Sequence, residues 1–174
     1  MTPESTGREP LIAPDRLPVD MAAYALRTAE TCFVCAFLAG DPEYRHEIVC
    51  EDDAHVAFLS RYPTLVGYVI VSPKAHIEHV VRDLAEPDFL RLMAFVRRVA
   101  LAVETVTEPE RTYLLSLGSQ SGNTHLHWHI APLPSGVPYG QQQFHALMIE
   151  NGVLDVSPAA MTDLARRIRQ AIDS

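Results

Sequence analysis

The run His125-Leu126-His127-Trp128-His129-Ile130-Ala131, followed by Pro132, is the stretch on which the fold reading turns. In an extended strand the side chains at i, i+2 and i+4 share one face, about 7 Å apart per step. Three imidazoles then line one face, while Leu126, Trp128 and Ile130 pack on the other. A helix would carry His127 away from its two neighbours. A single alternate histidine is most often an exposed strand residue. Three in succession, opposite three large apolar residues, point to a working surface. Such a face suits metal binding, phosphate binding or nucleophilic chemistry near neutral pH.

Outward from this run, Gly118–Thr124 reads as a polar loop, and Tyr113–Leu117 as the strand before it. The best helix spans about 87–106. There Phe89, Leu92, Val96, Val99, Val103 and Val106 recur at three- and four-residue steps, and Pro87 suits the first turn. Leu65–Val71 is a β-branched strand closed by Ser72-Pro73. Residues 46–59 read as two short strands around the acidic turn Glu51-Asp52-Asp53. A short helix is expected at 20–30, with Asp20 as N-cap and Met21, Ala25 and Leu26 on one side. A last helix starts from Ser157 and Pro158, with Met161, Leu164, Ile168 and Ile172 as its stripe. Strands and helices mix without βαβ alternation, so the expected class is α+β. The proline-containing residues 1–18 read as a flexible tail or docking arm, and 19–174 as one domain.

Composition bounds the function. The chain has 174 residues, 48% apolar and 21% charged, which are globular proportions. Fourteen basic against 22 acidic side chains give a formal net charge of −8. That balance argues against a coat for nucleic acid or anionic lipid, though not against a local anion pocket. Three cysteines are too few for a disulfide framework. The first ten residues hold no apolar run, and Phe33–Ala39 is too short to span a bilayer. A cytoplasmic protein with no nucleic-acid or membrane partner is expected.

Two further motifs carry chemistry. Cys32-Phe33-Val34-Cys35 is a redox pair, half a zinc site, or two small core residues. A zinc site needs two more donors, with His46, Cys50, His55, His76, His79 and the triplet as candidates, and the residues alone leave that choice open. Ser72-Pro73-Lys74-Ala75-His76 ends the apolar strand and, taken alone, reads as a solvated turn.

Together these segments resemble the histidine triad (HIT) superfamily of nucleotide hydrolases and transferases. Residues 125–131 match its His-φ-His-φ-His-φ-φ element, where φ is apolar. Cys32–Cys35 resembles the N-terminal CxxC of zinc-containing members. Ala57-Phe58-Leu59-Ser60-Arg61-Tyr62-Pro63 resembles the nucleoside-pocket strand and turn. Gly67–His76 resembles the segment G-H-x-φ-φ-φ-P-K-x-H. The resemblance covers about residues 32–134 and rests on these motifs in order.

The resemblance implies a half-barrel of about five antiparallel strands with flanking helices, assembled as a homodimer to which the 87–106 helix contributes. His127 is the implied nucleophile at a nucleotide α-phosphate, forming a nucleotidyl-histidine, and His129 contacts the phosphate and assists the leaving group. Cys32, Cys35, His76 and His125 are the implied ligands of a structural Zn²⁺. Gln120, Ser121 and Asn123 are implied phosphate contacts, and Ser60 a ribose contact. Adenine nucleotides lead as substrates: dinucleoside polyphosphates, phosphoramidates or acyl-adenylates. Several features depart from the family pattern, among them a Trp128 that is bulky for its position. Tyr68 replaces a histidine, Ser60 replaces Asp or Asn, and the loop before the triad is short. These departures motivate an alternative, a nucleotide-binding protein without turnover. A third reading, in which the triad itself holds a catalytic metal and His127 is a ligand, is weaker.

Overall fold

The computed structural model describes residues 16–173. The elements in order are β1 (Arg16–Leu17), α1 (Met21–Glu30), α2 (Phe33–Leu38), β2 (Ile48–Glu51), β3 (His55–Leu59) and β4 (Val69–Pro73). They continue with α3 (Glu86–Thr107), β5 (Arg111–Ser116), β6 (Trp128–Leu133), α4 (Phe144–Leu147), β7 (Val153–Leu154) and α5 (Pro158–Ile172). Five strands form one antiparallel sheet in the order β2-β3-β4-β6-β5. The expected α+β architecture is the observed one.

The sheet is covered on both faces, so β3 and β4 read as continuous apolar runs rather than alternations. On one face Ala57, Leu59, Val69, Val71 and Ile130 pack against Leu92, Phe95, Val96, Val99 and Val103 of α3 and Leu164 and Ile168 of α5. Each of these side chains larger than alanine stabilises the fold by roughly 1.5–3 kcal/mol on burial. The α3 stripe therefore covers the sheet, and Leu90 and Leu101 are the exposed large apolar residues of that helix. On the other face Val56, Phe58 and Ile70 meet Phe33 and Phe37 around α2.

The caps behave as the residues dictate. Asp20 accepts from the amides of Ala22 and Ala23, and Ser157 accepts from Ala160. The side of α1 holding Met21, Ala25 and Leu26 is not a buried stripe: no residue of α1 is fully buried, and Leu26 is 65% exposed. The strand expected at Leu65–Val71 starts later and ends later. Leu65–Gly67 instead form a turn, with the Tyr68 amide donating to the Leu65 carbonyl at 3.3 Å. Gly67 sits at φ 84°, and a Cβ there would lie 2.6 Å from Thr107 Cγ2. Ser72 and Pro73 do not stop β4, because Pro73 takes the last ladder position opposite His55.

The triplet also departs from a simple strand. The ladder begins at Trp128, not His125, and runs through Pro132 to Leu133. Pro132 is accommodated because β4 pairs with β6 only as far as Ile130. Of the N-terminal segment expected at 1–18, residues 1–15 lie outside the described residues, and Arg16–Leu17 pair with β7.

Candidate functional site

Residues 125–127 precede the ladder, with His125 at a bend, and hydrogen bonds from side chains and to carbonyls hold them. Ser72 Oγ donates to the Leu126 carbonyl at 2.8 Å, and Ser116 Oγ donates to that of His127 at 2.8 Å. His125 Nε2–H donates to the Pro73 carbonyl at 2.9 Å. The alternation read from the sequence holds over residues 126–130, but the expected face of three imidazoles is reduced to two, because His125 joins the two cysteines. Leu126, Trp128 and Ile130 pack toward α3, while His127 and His129 line a cavity of about 690 Å³ on the opposite side.

His125 points elsewhere. Its Nδ1 lies 3.4 Å from Cys32 Sγ and 3.5 Å from Cys35 Sγ. His76 Nδ1 lies 3.6 and 3.3 Å from the same sulfurs. All four donor atoms fall within 4.8 Å of one another. With Zn–S near 2.3 Å and Zn–N near 2.05 Å, a tetrahedral site has S···N edges of about 3.6 Å. The distances and the two-sulfur, two-nitrogen chemistry therefore fit a four-coordinate ion. The outer contacts fit as well. The Pro73 carbonyl accepts from the Nε2–H of His125, which leaves Nδ1 free to ligate, and His76 Nε2 lies 3.3 Å from Glu78 Oε1. Burial, then the Cys32 sulfur, push the Cys35 thiol up to about 11, so a cation binding there displaces protons. Cys32 reaches this place as the N-cap of α2, its Sγ accepting from the Cys35 amide. Among the other candidates, His46 stacks in the Phe33, Phe37 and Phe58 cluster, His55 pairs with Asp52, and Cys50 packs beside the core.

In the cavity, His127 Nδ1–H donates to the His125 carbonyl at 2.6 Å, which leaves Nε2 with a bare lone pair. Burial lowers the His127 pKa and keeps the ring neutral. The Phe33 ring stands edge-on at 5.5 Å and the His129 ring at 4.8 Å. Burial, then the electrostatic influence of the adjacent His127 ring, depress the His129 pKa to about 3. Gly118 is required beside this pair. A Cβ there would lie 2.6 Å from the Asn123 carbonyl oxygen and 3.8 Å from His127 Cε1.

The predicted contact residues divide. Ser60 and Asn123 line the cavity with the two histidines. Ser60 Oγ accepts from the Tyr62 amide at 3.2 Å, and Asn123 Nδ2 donates to Tyr24 Oη at 3.2 Å. Gln120 is turned away, its amide donating to Glu78 Oε2 at 3.3 Å, and Ser121 is exposed on the same loop. Gln120 therefore borders the His76–Glu78 pair rather than the cavity.

Several lining residues were not found from sequence. Tyr24, Arg27 and Thr28 of α1 form one wall, and Phe144, Leu147 and Met148 form another. Arg27 lies over the Tyr62 ring at 5.8 Å, and Arg61 donates to the Glu43 carbonyl. The aromatic content of this wall and its two guanidinium groups suit a planar, anionic ligand. Asp20 signals α1, but no local pattern places that helix across from the triad.

The profile of the HIT domain family matches residues 41–135, and the chain belongs to that family. A HIT-like protein of Saccharolobus solfataricus, itself uncharacterised, is 31% identical over 111 residues, covering 62% of this chain and 77% of its own. The protein hit of Bacillus subtilis is 27% identical over 154 residues, 86% of this chain and 99% of its own. Among solved structures, a hypothetical histidine triad nucleotide-binding protein of Sulfolobus tokodaii superposes with a TM-score of 0.65 at 25% identity, covering 82% of this chain and 92% of that one. A Zn-bound histidine triad family protein of Mycobacterium smegmatis gives a TM-score of 0.65 at 19% identity, with 83% and 95% covered. No helix among the described residues is long and apolar enough to cross a membrane.

Proposed function

We propose that the protein is a nucleotide hydrolase or nucleotidyl transferase acting at an α-phosphate through His127. The observation that carries this reading is the bare Nε2 of a buried, neutral His127 beside His129 in the cavity. The Nε2 lone pair attacks phosphorus, and the N–P bond forms as the bond to the leaving group breaks, the electron pair departing with that group. Water then attacks the phosphorus, the N–P pair returns to Nε2, and the water's proton passes to solvent. His129 contacts the phosphoryl oxygens, where a fixed donor in a water-poor site stabilises developing charge. Asn123 and Ser60 hold the phosphate and ribose sides, and the aromatic wall takes the base. Dinucleoside polyphosphates, nucleoside phosphoramidates and acyl-adenylates, with adenine as base, fit this reaction.

Cys32, Cys35, His76 and His125 are the proposed zinc ligands, a reading supported by their geometry and by the zinc-bound relative. Bound zinc supplies a closed structural tie there. It joins α2, the segment after β4 and the strip before β6. A homodimer in the cytoplasm is part of the same proposal. The exposed Leu114 on edge strand β5, with Leu90 and Leu101 of α3, offers apolar surface to a second copy.

The test is chromatography of nucleotide products from wild type and His127→Ala. The substrates are diadenosine tri- and tetraphosphate, adenosine phosphoramidate and an acyl-adenylate, each with and without added phosphate. His127-dependent release of AMP is expected, and ADP formed only with phosphate would identify a phosphorylase. Turnover surviving in His127→Ala would overturn the proposal. Nucleotide binding without any turnover by wild type would establish the non-catalytic alternative.

A further inference from the structure

Tyr68 stands where the family pattern has a histidine, and the structure shows what it touches. Its hydroxyl oxygen lies 3.3 Å from Nδ1 of His129, and the two rings meet edge-on at 5.7 Å and 82°. The phenol ring is clamped. Tyr68 is 7% exposed and packs with Leu65, Ala131, Leu133 and Ala146, between β6 and α4. The backbone fixes the spacing too. Tyr68 directly precedes β4, whose Val69 and Ile70 pair with Ile130 and His129 of β6. The tyrosine and the histidine are therefore held by adjacent strands at one end of a shared ladder.

The direction of the hydrogen bond follows from counting donors and acceptors. A neutral imidazole has one N–H and one bare nitrogen, and a phenol has one O–H. Among the described residues, Nδ1 of His129 is the acceptor within hydrogen-bond range of the Tyr68 hydroxyl. A hydroxyl that instead accepted from Nδ1–H would leave its own proton without an acceptor among the described residues, on a side chain only 7% exposed at the cavity wall. Burial pushes the Tyr68 phenol up to about 12, so its proton stays on oxygen.

We infer that Tyr68 is a positioning residue: its hydroxyl donates to Nδ1 of His129 and thereby keeps that imidazole's proton on Nε2, the nitrogen left for the cavity. His127 carries the opposite arrangement, because the His125 carbonyl holds its proton on Nδ1. Two neighbouring histidines thus present a lone pair and an N–H to one ligand. The catalytic consequence rests on the α-phosphate reading, in which the lone pair attacks phosphorus and the N–H binds a phosphoryl oxygen. The tautomer itself does not depend on that reading.

The experiment is long-range ¹H–¹⁵N NMR of the histidine side chains in the full chain without substrate, for wild type and Tyr68→Phe. In wild type the proton of His129 is expected on Nε2 and that of His127 on Nδ1. Removing the hydroxyl is expected to shift His129 toward a mixture of tautomers and leave His127 unchanged. Turnover of Tyr68→Phe should fall about tenfold in kcat with KM held, the worth of one hydrogen bond. Thermal unfolding of the variant verifies that its fold is intact. A wild-type His129 protonated on Nδ1, or a His129 tautomer unaltered in Tyr68→Phe, would overturn the inference. Turnover that survives in His127→Ala would instead sink the functional reading and leave the tautomer result standing.

Discussion

The metal-donor cluster and the cavity pair both take histidines from the run His125–His129 and put them to opposite uses. His125 commits Nε2 to the Pro73 carbonyl and turns Nδ1 toward two sulfurs. His127 commits Nδ1 to the His125 carbonyl and leaves Nε2 for the cavity. The residue type is identical, so the difference lies in which nitrogen a backbone carbonyl occupies. A proton-accepting neighbour on one side of an imidazole decides what the other side can do.

The largest effect that separates the two regions is on turnover. His127→Ala should reduce it more than about a thousandfold, the scale of losing a nucleophile, while bound metal stays at the wild-type level. Loss of metal in that variant would merge the two regions and favour a catalytic ion held by the triad.

The converse substitution acts on stability. Cys35→Ser, or a chelator on wild type, should remove bound zinc. An ion held at a thousandfold over its Kd contributes about 4 kcal/mol, so a comparable drop is expected in chemical denaturation. Unchanged stability after complete metal removal would show that α2 and the strip before β6 hold together unaided.

Acid distinguishes the regions less sharply. His46 and His129 have pKa values pushed down from 6.5 to about 4 and about 3, chiefly by burial. The unfolded chain therefore binds more protons than the folded one below about pH 6.5. Stability is complete above that pH and falls on acidification toward pH 4, by up to about 1.4 kcal/mol per group per pH unit. Denaturation midpoints measured from pH 8 to pH 4 check this, and a flat profile would contradict the buried, neutral state of these rings.

The smallest effect sharpens the metal side alone. Glu78→Gln should weaken zinc affinity about tenfold, because the carboxylate that orients His76 is lost. Competition with a chromophoric chelator measures it.

Much of this was legible in the sequence, for local reasons. Asp20 and Ser157 mark helix starts because their oxygens cap free amides, and the α3 stripe shows its 3.6-residue period. The triad's two-residue alternation placed His127 and His129 on one face even though the ladder begins only at Trp128. What stayed hidden depends on distant contacts. Leu65–Gly67 look like strand, yet Gly67 turns under Thr107, forty residues away in the chain. The β1–β7 pair is two residues long on each side and leaves no periodic signal. The two walls formed by Tyr24 and Arg27 and by Phe144 and Met148 come from segments far apart in the chain. The contact between the Gln120 amide and Glu78 joins residues 42 apart in the chain and leaves no local signal either.

The central claim is that His127 carries the nucleotidyl group, and it is tested most directly by trapping the intermediate. Wild-type protein is mixed with diadenosine tetraphosphate or adenosine phosphoramidate, quenched in alkaline denaturant to preserve a phosphoramidate bond, and mapped by peptide mass spectrometry. The account predicts an adenylyl group on the peptide bearing His127, on that residue, and none in His127→Ala. An adduct on another residue, or turnover with no covalent intermediate under single-turnover conditions, would contradict it.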